Sequence, residues 1–430
     1  MRCMFLAAVL LLSGLAPIAE AAEPAQPIVL RAAYLFDAVS GQLTNGGTIV
    51  VQGDKILSLH GNQAIPANAK VIDLGDATLL PGFIDAHTHV TSELQDNFFR
   101  GFHTDMFRFS VEQAHYGAAY AKRTLEAGFT TIRNVGSSDF IDVGLRNAID
   151  AGIVSGPRIL AAANSIGSTG GHCDADPFPP DRVPPQGLMD GVCNGADECR
   201  AAVRYQLKWG ADVIKICASG GVLSEKDPVD VPQLTREELA AIVSEAHAWK
   251  KKVAAHSHGD AAARLAVEAG VDSIEHGTFL SEETLQLMKK QGTYLVPTRL
   301  AVFWVNQNAA GYPPAIADKA RAAWAEHESM FKRALKAGVP IAFGTDSGVS
   351  PHGMNGKEFA LMVEIGMQPA AALLSATRDG ARLLGIEAEV GTIEAGKRAD
   401  LVAVKGNVLK NIAATEQPIF VMKGGAIVIE

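Results

Sequence analysis

The chain has 430 residues, of which 48% are hydrophobic and 20% are charged, and its formal net charge is −9. This is the composition of a globular protein with a large core, and it excludes a disordered or fibrous chain. Charges of both signs are mixed along the sequence without a long basic run, which argues against nucleic acid as the main partner.

The first residues predict a cleavable signal peptide over residues 1–21. An arginine at position 2 precedes an apolar run from Met4 to Leu12, and Ala19 to Ala21 has the A-x-A form of a cleavage site. The apolar run is too short to span a bilayer, and no cysteine follows it that would carry a lipid anchor. We therefore expect a periplasmic or secreted protein without a stable membrane anchor.

Four cysteines remain once the signal peptide is removed. An exported protein meets oxidising conditions, so we expect one disulfide. Cys193–Cys199 is the first choice and Cys173 paired with either of them is the second, since sequence does not determine connectivity. Cys217 lies in a predicted strand and is interpreted as a small core residue.

The two ends of the mature chain have similar, strand-like patterns. From Pro27 to Asp76, Val, Ile and Leu alternate with polar residues between Gly, Asn and Asp turns. The pattern returns only near the C-terminus, in ADLVAVKGN and IFVMKGGAIVIE. We predict that residues 22–78 and 386–430 meet in one small β-sandwich and that residues 79–385 form a single domain inserted between them.

The middle of the chain alternates apolar strands with segments of helical period, such as the one that begins at the predicted N-cap Thr235. The predicted strands are Leu79 to Val90, Phe129 to Val135, Arg158 to Asn164, Ala211 to Ser219, Lys252 to His258, Ser273 to Gly277, Thr293 to Thr298 and Ile341 to Ser347. Eight such units predict an α/β fold, a (β/α)8 TIM barrel, with a doubly wound open sheet as the alternative. The Gly- and Pro-rich connection after Asn164 is typical of a lid or binding loop, with a low-complexity linker as the alternative.

Polar side chains stand late in several of these strands. His87 and His89 alternate, so both face the same side of the first strand. The others are Lys215, His256, His258, Glu275, His276 and Asp346. Each alone has an ordinary explanation, such as a hydrogen-bonded core histidine, a lysine that reaches solvent or a helix-capping aspartate. Together they predict one site at the C-terminal face of the barrel, because burying them without a metal would carry a large desolvation cost.

This set of residues resembles the amidohydrolase superfamily of metal-dependent hydrolases. The matching segments are PGFIDAHTH, the lysine of the fourth strand, AHSHG, IEHG, GTDSG and the closing GTIEAGKRADLVAV. The resemblance implies two divalent metal ions, with zinc as the expected identity. One ion would be bound by His87, His89 and Asp346, the other by His256 and His276, and Lys215 would bridge both as a carbamate formed with carbon dioxide. A carbamate supplies two oxygen ligands and a negative charge, whereas an ammonium group would be repelled by the ions.

The resemblance also implies catalytic roles. Two metal ions that share a water lower its pKa toward neutrality. Asp346 would accept the proton and pass it to the leaving nitrogen. His172, in a Gly-Gly-His turn, is a candidate donor to the developing oxyanion, with a loop-structuring histidine as the alternative. His258 is interpreted as supporting a metal ligand or the substrate rather than as a ligand itself.

Within the superfamily the chain is similar to the branch of imidazolonepropionase-like proteins and exported dipeptidases and carboxypeptidases. The similarity lies in ASGGV after Lys215, TGGH in the long loop and PHGMNGKEF after Asp346. Members of that branch remove a C-terminal amino acid from dipeptides or N-acyl amino acids, and some hydrolyse the amide of ochratoxin, an N-acylated phenylalanine. The expected partner is therefore a small-molecule amide or dipeptide substrate.

Residues for substrate binding are less clearly marked by the sequence. The apolar residues that either receive a substrate side chain or pack the barrel rim are Phe102, Phe107, Phe178, Val222, Leu223, Phe303 and Trp304. Candidate partners of a substrate carboxylate are Arg182, Lys226 and Arg299, with surface solvation as the alternative. Leu234 stands where relatives that bind a free carboxylate often have an aromatic hydroxyl, which favours a larger, apolar acyl substrate.

We interpret the chain as an exported, binuclear amidohydrolase that cleaves the amide bond to a C-terminal amino acid. A lactonase, a phosphotriesterase or a cyclic-amide hydrolase of the same superfamily is the alternative, since these enzymes share the ligand set. Lys215 disfavours a deaminase, because deaminases of this fold use one metal. Retention of all six ligands disfavours a non-catalytic scaffold. Barrels of this kind often form symmetric assemblies, so a homo-oligomer is expected.

Overall fold

The computed structural model describes residues 26–59, 65–95, 97–174, 179–225 and 227–430. The predicted signal peptide, residues 1–21, lies outside the described residues. Among the helices of the described ranges, none combines the length and the apolar character needed to cross a bilayer.

The regular elements alternate along the chain. The strands are β1 (Ile28–Asp37), β2 (Gln42–Gln52), β3 (Lys55–Leu59), β4 (Lys70–Asp73), β5 (Ala77–Pro81), β6 (Phe83–Thr88), β7 (Phe129–Asn134), β8 (Arg158–Ala161), β9 (Val213–Cys217), β10 (Lys252–Ser257), β11 (Ser273–His276), β12 (Tyr294–Val296), β13 (Leu401–Lys405), β14 (Phe420–Lys423) and β15 (Ala426–Ile429). The α-helices are α1 (Phe98–Phe107), α2 (Ser110–Glu126), α3 (Ile141–Asp150), α4 (Ala196–Lys208), α5 (Arg236–Ala248), α6 (Asp260–Ala269), α7 (Glu282–Gln291), α8 (Arg299–Gln307), α9 (Pro314–Ala337), α10 (Lys357–Glu364), α11 (Pro369–Ser375) and α12 (Arg378–Leu384). Short 3-10 helices cover Leu188–Asp190, Ala309–Gly311 and Ile412–Glu416.

The two ends of the chain share one eight-stranded sheet. Its order is β15-β14-β13-β5-β1-β2-β3, and β4 pairs with β1. The N- and C-terminal segments meet where β13 pairs antiparallel with β5. The sheet has a buried apolar core of its own, which includes Leu30, Leu79 and Phe420. The predicted meeting of the two ends is confirmed, and the division into residues 22–78 with 386–430 and residues 79–385 remains our proposal for the domains.

The parallel strands of the middle form a barrel. β6, β7 and β8 make one parallel ladder, and β9 to β12 make another. Ile166, beyond β8, joins them, because its N–H donates to the Lys215 carbonyl at 2.8 Å and its own carbonyl accepts from Cys217 N–H at 2.9 Å. On the other side, the segment 341–347 is bridged to Leu295 of β12 and to Thr88 of β6. The predicted barrel thus has eight members around its ring, and the open-sheet alternative does not describe it.

Two of the eight predicted strands differ from expectation. The stretch Leu79 to Val90 is two strands, β5 of the terminal sheet and β6 of the barrel, separated by Gly82. A Cβ at Gly82 would lie 2.2 Å from Oγ1 of Thr130, so the close approach requires glycine there. The segment Ile341 to Ser347 pairs only through isolated bridges. The positive φ of 59° at Asp346 interrupts its extended geometry.

The start of α5 shows how local sequence places an element. Thr235 is the N-cap, and its side-chain oxygen accepts from the Glu238 N–H at 3.2 Å. The Glu238 carboxylate accepts from the Thr235 N–H at 2.8 Å in return. This capping box satisfies two N–H groups that have no partner within the helix, as the sequence predicted.

The structure contains two disulfides. Cys193–Cys199 matches the first choice from the sequence. The second pair is Cys173–Cys217, with Cα atoms 5.7 Å apart and a sequence separation of 44. Cys217 is buried, as interpreted from the sequence, but it is disulfide-bonded. The expectation of one disulfide was therefore wrong, as was the alternative pairing of Cys173 with Cys193 or Cys199. The long loop after Asn164 folds back onto the end of β9, and sequence spacing alone does not report such a return.

Candidate active site

A cavity of about 390 Å³ lies where the barrel strands meet their following loops. It is lined by ten of the residues that the sequence singled out: His87, His89, His172, Lys215, Val222, Leu223, His256, His258, His276 and Asp346. Arg299 is not among the described residues that line it. The tertiary structure thus brings together side chains that are spread over 260 positions of the chain, from His87 to Asp346.

His87, His89 and Asp346 form the first group with the geometry of a metal site. Nε2 of His87 lies 3.4 Å from Oδ1 of Asp346, and Nε2 of His89 lies 3.3 Å from the same oxygen. That Oδ1 atom is buried and has no hydrogen-bond partner among the described residues. A buried carboxylate oxygen without a partner is costly, and a bound cation would compensate it.

The backbone of Asp346 helps to aim its side chain. Its N–H donates to the His87 carbonyl at 2.7 Å, which joins the segment 341–347 to β6. Burial acts to raise the pKa of Asp346, but His87, His89 and Lys215 oppose this and lower the pKa below its ordinary value. Asp346 is therefore a carboxylate at neutral pH, as a metal ligand or a proton acceptor must be.

A buried ionic network holds His87 from behind. Nδ1 of His87 lies 2.7 Å from Oε2 of Glu275, and Arg133 donates to Oε1 of Glu275 at 2.8 Å. Burial acts to raise the pKa of Glu275, but the Arg133 charge and the His87 hydrogen bond lower it to about 2. The carboxylate therefore keeps Nδ1 of His87 as a donor and leaves Nε2 free to bind a metal.

Of the residues behind His87, Glu275 was among the polar side chains that the sequence singled out, whereas Arg133 and Asp85 were not. Arg133 and Glu275 both lie within barrel strands, and Asp85 lies two residues before His87. Asp85 accepts from Asn355 at 2.8 Å and from the Thr345 hydroxyl at 2.6 Å, which ties β6 to the neighbouring segments. A charge inside an otherwise apolar strand is the signal that sequence reading could have used.

His256, His258 and His276 form the second group. One nitrogen of each ring has a partner: Nε2 of His256 lies 3.2 Å from the Gly220 carbonyl, Nδ1 of His258 lies 2.8 Å from the Thr278 hydroxyl, and Nδ1 of His276 lies 2.8 Å from the Thr298 hydroxyl. The ligand atoms of the three histidines lie within 4.8 Å of one another. His258 therefore belongs to this group by geometry, although the sequence interpretation assigned it a supporting role.

Burial determines the charge of this second group. It lowers the pKa of His258 to about 3 and the pKa values of His256 and His276 well below the ordinary value. The three rings are neutral at pH 7 and have lone pairs available for a cation. Neutral imidazole nitrogens and a carboxylate oxygen are the donor types that zinc binds in proteins.

Lys215 lies on β9 beside both groups and is 4% exposed. Burial lowers the pKa of its amine to about 8, although the carboxylates of Glu275 and Asp346 oppose that effect. A lowered pKa increases the fraction of free amine, which is the form that reacts with carbon dioxide.

His172 approaches the second group from the long loop after β8. Its ring stacks on His256, with centroids 4.3 Å apart. Burial lowers the pKa of His172 to about 4, so the ring is neutral at pH 7. The next residue, Cys173, is tied to Cys217, two positions after Lys215 on β9. The disulfide thus fixes the His172 loop to the strand that carries the central lysine.

Part of the cavity wall is apolar. Val222 and Leu223 contribute to it, as the sequence predicted for a substrate pocket. The residues that sequence reading missed there are Ala301, Val302 and Val305 of α8 and Ala320 and Ala323 of α9. They are small or branched apolar residues on two helices of ordinary pattern, so no local signal distinguishes them from core residues.

Other predicted substrate residues lie elsewhere. Arg299 is buried at the start of α8, with its guanidinium 3.7 Å from the centre of the Trp324 ring. Phe107 and Arg182 are exposed, and Leu234 is part of the main apolar core. Phe303 and Trp304 are half-buried on α8, away from the lining of the cavity. Phe178, Lys226 and the side chain of Phe102 lie outside the described part of the structure.

Comparison with known proteins agrees with this geometry. The model of the amidohydrolase family matches residues 78–428. Ochratoxinase of Aspergillus niger is 31% identical over 432 aligned positions, which cover 94% of this chain and 87% of that protein. The solved structure of an Xaa-Pro dipeptidase with bound methionine in its active site is 40% identical, covers 94% of this chain and 99% of its own, and superposes with a TM-score of 0.90. A prolidase complexed with N-methylphosphonate-L-proline is 30% identical over 94% of this chain and 99% of its own, with a TM-score of 0.84. The resemblance and the barrel fold predicted from the sequence are confirmed.

Proposed function

Because the chain belongs to the amidohydrolase family and is a hydrolase of amide or peptide bonds, we propose that it cleaves the amide bond to a C-terminal amino acid in dipeptides or N-acyl amino acids. The observation that carries this proposal is the convergence of His87, His89, Lys215 and Asp346 with four further histidines around one cavity. The apolar wall beside them supports a substrate with an apolar acyl or side-chain group.

The donor sets described above fit two divalent ions, for which we propose zinc. His87, His89 and Asp346 would hold one ion, and His256 and His276 would hold the other, with His258 close to the latter. Lys215 would contribute as a carbamate, formed when its neutral amine adds carbon dioxide and loses one proton. When bound, such ions supply Lewis acidity that polarises the scissile carbonyl and makes water a better nucleophile at neutral pH.

The protein's own residues handle protons and charge. Asp346, a carboxylate at neutral pH, takes the proton of the attacking water and returns it to the leaving nitrogen. His172 donates a hydrogen bond to the oxygen that becomes negative as the carbonyl carbon turns tetrahedral. Val222 and Leu223, with the facing residues of α8 and α9, exclude water from the apolar part of the substrate.

The relatives guide the choice of substrate. Two of the similar proteins are an ochratoxinase and an Xaa-Pro dipeptidase. Both are consistent with a substrate amide whose nitrogen belongs to a C-terminal amino acid. Because the cavity wall is apolar and Arg299 is held against Trp324, we favour an N-acyl amino acid such as an N-acyl-phenylalanine over a strict dipeptide.

Export is part of the proposal. Two disulfides are expected in a protein that folds in an oxidising compartment, which supports a periplasmic or secreted location. We also propose a homo-oligomer, which light scattering on the purified protein would measure.

The test is turnover by the zinc-reconstituted protein on a panel of N-acyl amino acids and dipeptides that vary the C-terminal residue. We expect hydrolysis of several N-acyl amino acids with apolar acyl groups and none by the Asp346→Asn variant. Activity against lactones or phosphotriesters alone would replace the amidase proposal with the corresponding alternative. A folded protein that binds no divalent ion and turns over no substrate would support a non-catalytic scaffold instead.

A further inference from the structure

The loop that follows β9 lies beside His172 and is held by one lysine of α9. Nζ of Lys319 donates to three backbone carbonyls of that loop: Gly221 at 3.2 Å, Ser224 at 2.8 Å, and Asp227. The side chain of Lys319 is 18% exposed, and an ammonium group has three protons to donate. Lys319 therefore uses all three N–H protons on carbonyls of a single loop, and these hydrogen bonds fix the curvature of that loop.

The same loop holds the backbone of His172. The His172 N–H donates to the side-chain oxygen of Gln233 at 2.8 Å. The Gln233 amide group donates in turn to Oδ2 of Asp227 at 3.0 Å, and that oxygen also accepts from Gly221 N–H at 3.1 Å. The ring has little space to move, because it stacks on His256 and a Cβ added to Gly221 would lie 2.1 Å from the His172 ring.

The side chain of Ser224 contacts one ring nitrogen of His172. Oγ of Ser224 lies 3.1 Å from Nδ1 of His172 and 3.2 Å from the Gly221 carbonyl oxygen. A serine hydroxyl has one proton, so it donates to the ring, to the Gly221 carbonyl or to the Asp227 carboxylate, which its side chain also contacts. If it donates to either of the two oxygen acceptors, Nδ1 must carry the ring proton. If it donates to Nδ1, the proton of the neutral ring is on Nε2.

The two oxygen acceptors already have other donors: the Gly221 carbonyl accepts from Lys319, and Oδ2 of Asp227 accepts from Gly221 N–H and from Gln233. Ser224 can therefore donate its proton to His172 while both of these oxygens keep a partner. Nε2, the nitrogen that Ser224 does not engage, then carries the proton that a donor to the substrate oxygen needs.

We propose that Ser224 and Lys319 are positioning residues for His172: Lys319 satisfies the Gly221 carbonyl and fixes the loop, and Ser224 donates to Nδ1, so that His172 presents an Nε2 proton to the cavity. This inference rests on the proposed function for its effect on catalysis. The tautomer itself is a property of the folded protein and is measured without substrate.

The first experiment is NMR on zinc-reconstituted protein labelled with ¹⁵N at histidine. Long-range ¹⁵N–¹H correlations distinguish the two tautomers, and the signals of His172 are assigned by their absence in His172→Asn. We expect the Nε2-protonated tautomer in the wild type and an increased Nδ1-protonated population in Ser224→Ala and Lys319→Met. A wild-type ring protonated on Nδ1, or variants with an unchanged tautomer, would overturn the proposal.

The second experiment is steady-state kinetics on a substrate from the panel above. We expect Ser224→Ala and Lys319→Met each to lower kcat by about 10-fold or more with KM changed by less than about 2-fold. The reason is that the hydrogen bond from His172 to the negatively charged substrate oxygen forms only in the transition state. Ser224→Thr, which keeps the hydroxyl, should retain most of the activity. Lys332→Met is the matched control on α9, since Lys332 pairs with Glu328 on the exposed face.

A double-mutant comparison separates positioning from general loss of structure. In a His172→Ala background, Ser224→Ala and Lys319→Met should lower kcat no further, because their effect passes through the missing ring. An equal loss in both backgrounds would contradict the proposal. If the wild-type protein hydrolyses none of the amides, the proposed function fails, and the NMR result still decides whether Ser224 and Lys319 set the tautomer of His172.

Discussion

The two sides of the cavity are supported in different ways. His87 lies on β6, His89 directly follows that strand, and Asp346 lies in the segment 341–347. Backbone hydrogen bonds and the Glu275–Arg133 pair hold this part of the site. His172, Val222 and Leu223 stand on loops, which are held by one disulfide and by Lys319. We refer to these as the strand-built side and the loop-built side.

This difference follows from what each side must do. Metal ligands must be held within a few tenths of an ångström, and barrel strands that are buried on both faces provide that rigidity. Substrate contacts vary between enzymes that share one fold, and loops accept such variation because few core contacts depend on them. Changes on the strand-built side should therefore affect metal binding and folding, while changes on the loop-built side should affect turnover with smaller costs in stability.

The largest effect is expected from Asp346→Asn on the strand-built side. The amide cannot accept the proton of water and is a poorer ligand, so kcat/KM should fall by about 10² to 10⁴. The measurement combines turnover with metal analysis of the purified variant. Asp379→Asn on α12, a partly exposed ion-pairing position, is the control and should keep both activity and metal content. Wild-type turnover by Asp346→Asn would remove Asp346 from the mechanism.

Glu275→Gln should have the next largest effect. It leaves the Arg133 guanidinium buried without its charge partner, which typically costs about 3–5 kcal/mol. It also weakens the hydrogen bond that orients His87, so zinc affinity should fall by about 10- to 100-fold. Urea unfolding and chelator competition measure the two effects. Glu282→Gln, at an exposed position of α7, should change neither, and a stable Glu275→Gln variant with full zinc affinity would contradict the division between the two sides.

The disulfides allow a direct test of the loop-built side. Replacing Cys173 and Cys217 by serine opens a link across 44 residues, whereas replacing Cys193 and Cys199 opens one across 6. In the chain-entropy model the first loss costs roughly 2 kcal/mol more than the second. Only the first pair adjoins His172, so only its loss should lower kcat while zinc content stays at the wild-type value. Equal kcat values for the two double variants would show that the Cys173–Cys217 link does not position His172.

The smallest effect is a pH dependence at the start of α8. The Glu358 carboxyl group accepts from Arg299 N–H at 2.9 Å and from Leu300 N–H at 2.5 Å. Burial raises the pKa of Glu358 to about 8, and these hydrogen bonds oppose that effect only in part. Because the pKa of Glu358 is raised in the folded state, the contribution of the protonated carboxyl group to stability is complete below the unfolded-state pKa. This contribution is lost as pH rises toward 8.

Glu358→Gln should therefore flatten the fall in unfolding free energy between about pH 4.5 and 8. The release of one proton changes the free energy of unfolding by at most about 1.4 kcal/mol per pH unit. Urea unfolding at pH 5, 6.5 and 8 measures the slope. Glu364→Gln, at the other end of α10, is the control and should retain the wild-type slope. Parallel slopes for wild type and Glu358→Gln would show that Glu358 stays ionised throughout.

The strand-built side could be read from the sequence to a large extent. The side-chain period of two places His87 and His89 on the same side, and the barrel rule places Lys215, His256, His276 and Asp346 at one face. These inferences need only local periodicity and the regular geometry of a parallel barrel. The capping box at Thr235 was predicted for the same reason, since its partners are three residues apart.

The loop-built side could be read only in part. Val222 and Leu223 were predicted because they follow a barrel strand closely, but the cavity residues of α8 and α9 were not. Arg299 was proposed for a substrate carboxylate, whereas the fold places its guanidinium over Trp324. A helix presents several apolar faces of similar composition, and only the packed neighbours decide which of them borders the cavity.

Residue type and position along the strands already determine that this chain can assemble a metal-dependent hydrolase, since strand alternation and barrel geometry are regular enough to be read from one sequence. The pairing of Cys173 with Cys217, the Glu275–Arg133 pair behind His87 and the contact of Ser224 with His172 depend on where loops and distant strands come to rest. Those contacts join residues 44 to 142 positions apart. No local pattern encodes such separations, so the folded chain alone decides them.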